Sequence, residues 1–548
     1  MYWNRMSENA KKKNIIYIFN DSGVGGAAMS LLDILVEIKK YINPVVIMPD
    51  YASNEVDKRF NELSVIYYKI HFSNDYAKIG STDKNKKILD FKQSYEAAMQ
   101  LIPIIKKENI DLIHINSSTS YFAAIAALMV RIPYVWHIRE LIEKHLNCEF
   151  INEELKVSLY KRADRLIAIS NYVKESYLNK YGLETVQLYD GLEVERFKRD
   201  LTTKNKFDNS FIVVAMITPE KGQWDVVQAV ELLMKEGHDD INVVIVGNGA
   251  YNYVWALKKY IKEKKLEKNI IVLPFHENLS QLRSRASYAI TSSQDEALGR
   301  VTIEAMLAGN IVIGARSGAT TEIIGEDEER GFLYELGNNR ALADAMVRAM
   351  DYSVRKKNIL LLEAQKYAES EFDSKEYCGK LLKIYDEVIL AFEVQQDDKF
   401  LDDLKKGYYS IKDMVYENMD IIDVPYIKSA LMLPLVSKWL EIRQMGQSLC
   451  EYFYLNNIQN IAIYGMGVLG CRLYDELEGS SVQVRYLIDK SPNGIDKIFE
   501  FSELDKEKLD VETIVVTVIS SEIQIINEIK TFGYKHVIGL SEIINSFQ

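Results

Sequence analysis

The chain has 548 residues, 48% hydrophobic and 27% charged, so it holds enough apolar sequence for several globular cores and is not a disordered chain. A formal net charge of −12 excludes a general nucleic-acid binder, which needs a surplus of Lys and Arg on its binding face. Four cysteines, Cys148, Cys378, Cys450 and Cys471, lie far apart without metal-ligand spacing; they imply a reducing, cytoplasmic setting, and no metal site is expected.

The opening MYWNRMSENAKKKN has no apolar stretch of the signal-peptide kind. Residues 14–19 (NIIYIF) read as a buried parallel strand, followed by a loop containing Gly25 and Gly26 and an amphipathic helix from Ala27 to about Lys40. A glycine-rich turn there lets backbone N–H groups approach a phosphate; it serves equally as a tight turn packing helix on sheet. Further strands are predicted at 44–48, 63–68, 111–115 and 134–137, with helices between them, as in a doubly wound domain. His137 ends the last of these and is expected to face a cleft, where an imidazole can hydrogen-bond a ligand hydroxyl. Its alternative is a histidine satisfied by backbone or by Glu140. His114 lies inside its strand and reads as structural.

Residues 198–207 are polar and read as a linker. A second half restarts with the strand 211–216 and a loop through Lys221, placed to neutralise an anion unless it is an ordinary solvated lysine. Strands at 242–246 and 270–274 and a helix at 279–286 lead to the central stretch, 288–314. That stretch reads as a strand, a polar loop over 291–299, a helix from Arg300 and a strand from Ile311. The helix start offers free N–H groups and a positive dipole end. Glu296 and Glu304 are placed to hold two parts of one extended ligand; alternatively Glu304 forms a surface pair with Arg300, four residues before it. A turn at 317–321 and helices over 341–350 and 363–392 complete the half.

Residues 395–456 are helical in pattern and charged. Within and beside them, 421–440 is the most apolar segment, but Asp423, Lys428, Lys438, Pro425 and Pro434 interrupt it. It reads as a buried or partner-facing helix, with peripheral membrane contact as the alternative. A strand at 461–464, the turn Gly465-x-Gly467-x-x-Gly470, a helix from Cys471 and a strand 484–488 ending at Asp489 give the context of a dinucleotide fingerprint. With only about 90 residues left, one mononucleotide-sized half is expected, either binding an NAD-like ligand or serving as an assembly module.

The run Ser293-x-x-Glu296-x-x-Gly299, followed by Glu304, Ala305, Met306 and Gly309, resembles the signature of family 4 of the retaining glycosyltransferases. The resemblance implies an α/β fold of two facing Rossmann-like domains (GT-B), plus a helical connector and a third small Rossmann-like domain. Expected boundaries are 1–197 (acceptor side), 198–370 (nucleotide-sugar donor), 371–394 (a helix returning to the first domain), 395–456 (connector) and 457–548. It further implies that Glu296 contacts the transferred sugar and Glu304 the ribose, and that Gly25, Gly26, Gly299, Arg300 and Val301 lie at the donor. His137 and Lys221 would complete a catalytic set.

The implied substrates are a UDP- or GDP-linked sugar and a glycan or lipid-linked hydroxyl acceptor, with no required cofactor, at the cytoplasmic face of a membrane in cell-surface polysaccharide assembly. Two departures stand out. Asp190-Gly191-Leu192-Glu193 replaces the usual Asn-Gly-Val-Asp, and Met216 stands where an Arg is usual. Arg300, usually apolar, is expected to supply the missing charge. The alternative is a non-catalytic scaffold that binds nucleotide sugar and supports a partner transferase.

Overall fold

A computed structural model describes residues 12–20, 26–201, 208–276, 279–325, 329–392, 398–416, 435–490, 498–500 and 509–547. Gly25 and most of the apolar segment 421–440 lie outside the described residues. The described residues fall into two compact units. One contains the first two sheets and the helices up to residue 416 other than Tyr251–Glu263; the other contains the third sheet with residues 216–219 and 247–268.

In chain order the strands are β1 (Asn14–Ile18), β2 (Asn43–Pro49), β3 (Ile66–Ile70), β4 (Tyr76–Lys78), β5 (Leu112–Ile115), β6 (Tyr134–Ile138), β7 (Cys148–Phe150), β8 (Arg165–Ala168) and β9 (Val186–Gln187). All but β4 and β7 form a parallel sheet in the order β3-β2-β1-β5-β6-β8-β9. Its central strands are apolar at nearly every position because both faces are covered. Ile16, Ile18, Ile113, Ile115, Tyr134 and Trp136 point into one core, and Ile15, Tyr17, Leu112 and Val135 into another. The helix Ser374–Ala391 supplies Tyr377, Leu381 and Tyr385 to the second of these cores, and Asp373 caps its first turn.

The second sheet is built from β10 (Ser210–Val214), β11 (Asn242–Val246), β12 (Ile270–Leu273), β13 (Tyr288–Thr291), β14 (Ile311–Ala315) and β15 (Phe332–Tyr334). Its order is β12-β11-β10-β13-β14-β15, again parallel. The strand order reverses between β1 and β5 in the first sheet and between β10 and β13 in the second. Loops at the carboxyl ends of the strands beside such reversals are where open α/β sheets bind ligands.

The third sheet has five parallel strands, β16 (Asn460–Tyr464), β17 (Gln483–Asp489), β18 (Ile498–Glu500), β19 (Thr513–Val516) and β20 (Val537–Gly539), in the order β18-β17-β16-β19-β20. It is therefore larger than the mononucleotide-sized half expected from its length, because β19 and β20 add strands beyond the reversal. The expected connector also divides. Asp398–Tyr416 packs on the helix Lys84–Lys107, with Tyr408 stacked on Tyr95 at 4.3 Å, whereas Trp439, Ile442, Leu449 and Phe453 belong to the core of the third sheet. Within that unit the helix Tyr251–Glu263 meets the helix Val468–Leu477, where Trp255 Nε1 donates to Asp475 at 2.6 Å and Lys259 to Tyr474 at 2.7 Å. No helix among the described residues is long and apolar enough to cross a membrane.

Candidate active site

Beyond β13, the loop 292–299 is held from both sides. Ser292 donates its hydroxyl to the Lys221 carbonyl at 2.7 Å, and the backbone N–H of Gln294 donates to the Glu220 carbonyl at 2.8 Å. On the other side Ala319 N donates to the Glu296 carbonyl at 2.8 Å. The residues expected to form a plain turn at 317–321 instead begin the helix Gly318–Ile324. Gly299 then adopts φ 83°, in the left-handed region glycine favours, and caps the helix Arg300–Leu307. Glu296 is thereby fixed in place before any ligand arrives.

Lys221 and Glu296, 75 residues apart, meet at 2.6 Å. Arg300 does not pair with Glu304. It donates Nη2 to Asp33 of the helix Gly26–Ile38 at 2.6 Å, while its Nη1 is buried without a hydrogen-bond partner among the described residues. Burial pushes the Asp33 carboxyl up from its usual range, and the Arg300 guanidinium opposes that shift. Glu304 is held instead by Arg283, whose Nη2 donates at 2.8 Å and whose Nη1 donates to the Val301 carbonyl at 3.2 Å. Arg283 is 1% exposed, and burial lowers its affinity for its proton against the pull of Glu304. Sequence reasoning missed both Arg283 and Asp33; nothing local to either marks the pairing.

Asp295 faces the first sheet's loops, accepting from Tyr172 at 2.6 Å and lying 3.4 Å from His145 Nε2. Although burial raises its pKa, the bonds from His145 and Tyr172 prevail and hold the carboxyl below its usual range. Glu322 likewise accepts from the backbone and side-chain nitrogens of Asn171 and from the Tyr189 hydroxyl.

His137 differs from expectation. It is the fourth residue of the five in β6 and is wholly buried rather than cleft-facing, with Nδ1 3.2 Å from Arg139 Nη2 and Nε2 without a hydrogen-bond partner among the described residues. Burial holds its pKa well down, reinforced by Arg139 and His114. Arg139 itself is paired with buried Asp190, which also accepts from Ser30 at 2.6 Å. The carboxylate at 190, where an amide is usual, thus has a cation to neutralise it. Met216 is 66% exposed. Gly26 is the first residue of its helix.

In the third sheet the turn after β16 has Gly465 at φ 95°, and Gly467 is the N-cap of the helix Val468–Leu477. A Cβ on Gly470 would lie 2.1 Å from the Gly465 carbonyl oxygen, so the helix can approach the turn only without a side chain there. Asp489 accepts from the Met466 N–H at 2.7 Å, bracing the same turn.

Two protein-family descriptions match adjoining stretches: "Glycosyltransferase Family 4" over residues 24–196 and "Glycosyl transferases group 1" over residues 194–365. Residues 24–365 thus resemble, in two adjoining stretches, the domains of glycosyltransferases. Among similar curated proteins are the Staphylococcus aureus capsular polysaccharide biosynthesis glycosyltransferase CapH, 22% identical over 59% of this chain and 86% of its own length, and the Bacillus anthracis N-acetyl-alpha-D-glucosaminyl L-malate synthase, 23% identical over 55% and 80%. Among solved structures, Anabaena HepE in complex with UDP and glucose superposes with a TM-score of 0.56, covering 68% of this chain and all of its own at 21% identity. The chain therefore shares the GT-B fold with that protein.

Proposed function

We propose that the chain transfers a sugar from a nucleoside diphosphate sugar to a hydroxyl acceptor with retention of anomeric configuration, in the assembly of a cell-surface polysaccharide at the cytoplasmic face of a membrane. The carrying observation is the convergence of Lys221, Glu296, Arg300 and the Arg283–Glu304 pair around the first turn of the helix Arg300–Leu307. The UDP complexes of HepE and the capsular role named for CapH support a UDP-linked donor and a polysaccharide product.

In this reading the diphosphate sits at the Gly299–Val301 N–H groups, and Glu304, oriented by Arg283, takes the ribose hydroxyls. Lys221 leaves Glu296 for the phosphate, and the unpartnered Arg300 Nη1 adds the charge that Met216 does not. Glu296, released, holds the sugar. As the C1–O bond to the diphosphate breaks, these cations and the helix start stabilise the developing negative charge. The acceptor oxygen bonds to C1 on the same face, and its proton passes to the departing phosphate oxygen. His137 acts from behind, through Arg139, rather than on the substrate.

The test is nucleotide release from UDP-glucose and UDP-N-acetylglucosamine with and without a glycoside acceptor, with the product anomer read by NMR. Acceptor-stimulated release that gives the donor's anomer supports the reading. The competing reading, a scaffold that binds nucleotide sugar without turnover, is favoured by exposed Met216. It requires intact donor binding with equal, near-zero release by wild type and Glu296→Ala.

A further inference from the structure

At the carboxyl end of the first sheet, beside the reversal between β1 and β5, lies a cavity of about 110 Å³. Phe19 and Asn20 after β1, Asn116 and Ser117 after β5, Glu140 after β6, and Asn74 and Tyr76 line it. That volume is room for one edge of a sugar ring rather than a whole disaccharide.

Its chemistry is one-sided. The side-chain oxygens of Asn20 and Asn74 are buried and make no hydrogen bond among the described residues. Leaving a buried acceptor unsatisfied costs about 1–3 kcal/mol, so two beside one cavity are a vacancy for donors. Glu140 accepts from the Ser117 hydroxyl at 2.9 Å and the Ser118 N–H at 2.8 Å, which leaves lone pairs on both oxygens. It forms no ion pair among the described residues, and no Lys or Arg is among the described residues that line the cavity. The nearby buried cations are already taken, Arg139 by Asp190 and Lys156 by Asp75.

The cavity also connects to the proposed sugar position. Leu141, which follows Glu140, donates its N–H to His145 Nδ1 at 3.0 Å, and the other ring nitrogen of His145 lies 3.4 Å from Asp295, the neighbour of Glu296.

Resting on the transferase reading above, we infer that this cavity is the acceptor site and that it selects a neutral, hydroxyl-rich sugar against an anionic acceptor. Vicinal hydroxyls donate to Asn20, Asn74 and Glu140, while Tyr76 gives an apolar ring for the sugar's C–H face. A carboxylate on the acceptor would meet Glu140 with no Lys or Arg among the described lining residues to pair with it.

Two probes that differ only at C6, p-nitrophenyl glucoside and p-nitrophenyl glucuronide, test this on the full chain. Acceptor-stimulated UDP release and equilibrium binding by saturation-transfer NMR are both read. The wild type is expected to favour the glucoside about tenfold in each, and Glu140→Gln to bring that ratio towards one. Asn74→Leu, which removes an acceptor without changing charge, should weaken the glucoside while leaving the preference in place. An equal or reversed preference in the wild type, or a ratio unmoved by Glu140→Gln in a protein of unchanged melting temperature, overturns the inference. If no nucleotide is released with either probe but NMR shows the glucoside preference and its loss in Glu140→Gln, the transferase reading fails and the neutral-sugar site stands.

Discussion

Two turns in this chain occupy similar places at the carboxyl edge of a parallel sheet, one after β13 and one after β16, and they are built on opposite principles. The turn after β16 has the glycine spacing of a nucleotide site, yet its features are answered locally: Gly470 by the Gly465 carbonyl, Asp489 by the Met466 N–H. The loop after β13 draws in charges from distant sequence, Lys221, Arg283 and Asp33, and leaves Arg300 Nη1 unspent. Glycine spacing reports how closely a helix can approach a strand; convergent, incompletely satisfied charge reports a place for a ligand.

The comparison breaks first at Arg283. Arg283→Met should cost about 3–5 kcal/mol in urea unfolding, because it strands the Glu304 carboxylate. Adding Glu304→Gln should restore much of that stability without restoring UDP affinity. If the double variant binds UDP like wild type, the pair is only structural.

Next in size, Lys221→Met and Glu296→Gln should each lower acceptor-stimulated UDP release by about 10²–10³ with the melting temperature little changed. Arg300→Ala should raise the Kd for UDP; wild-type affinity and turnover in that variant would dismiss its role as a substitute cation.

In the third sheet, Gly470→Ala should destabilise its unit by about 1–3 kcal/mol through the contact with the Gly465 carbonyl. Gly467→Ala, whose Cβ would meet nothing within 4 Å, should stay within about 0.5 kcal/mol. Titration with NADH should leave nicotinamide fluorescence flat; an enhancement abolished by Gly467→Ala would return the turn to the ligand sites.

The smallest effect is in pH. Burial holds the pKa values of His114 and His137 well below their usual value, so between those lowered values and about 6.5 the unfolded chain binds more protons than the folded one. Stability from these groups is therefore present at pH 7 and is lost as pH falls through about 6.5. Asp75, raised to about 6 by burial, acts in the opposite direction below that pH, but the two imidazoles outweigh it. The unfolding free energy should fall from pH 7 to pH 5.5, with a slope smaller by up to about 1.4 kcal/mol per pH unit in His137→Asn.

Much of the fold was legible in the sequence, because parallel strands buried on both faces leave continuous β-branched runs such as 14–18 and 242–246, and because Gly299 marks the helix start at Arg300. The size of the third sheet was not, since β18 and β20 are three residues each and carry little pattern. In the site, Glu296, Glu304 and Lys221 could be named from a local run and a loop position. Their partners could not. Arg300 and Asp33 are 267 residues apart, Arg283 and Glu304 21, and neither pair follows a helical or strand spacing. The departure at Asp190 had the same cause: its neutralising Arg139 is 51 residues away. His137 was misplaced because one residue more of β6 carries the strand past it and closes the core over its ring.

The most direct measurement is a crystal structure with UDP bound. The expected density places the diphosphate at the Gly299–Val301 N–H groups with Lys221 turned from Glu296 towards it, and the ribose hydroxyls on Glu304 beside Arg283. A nucleotide seated on the Gly465–Gly470 turn instead, or one bound away from Glu304 with the Lys221–Glu296 pair intact, would contradict the assignment of the donor site.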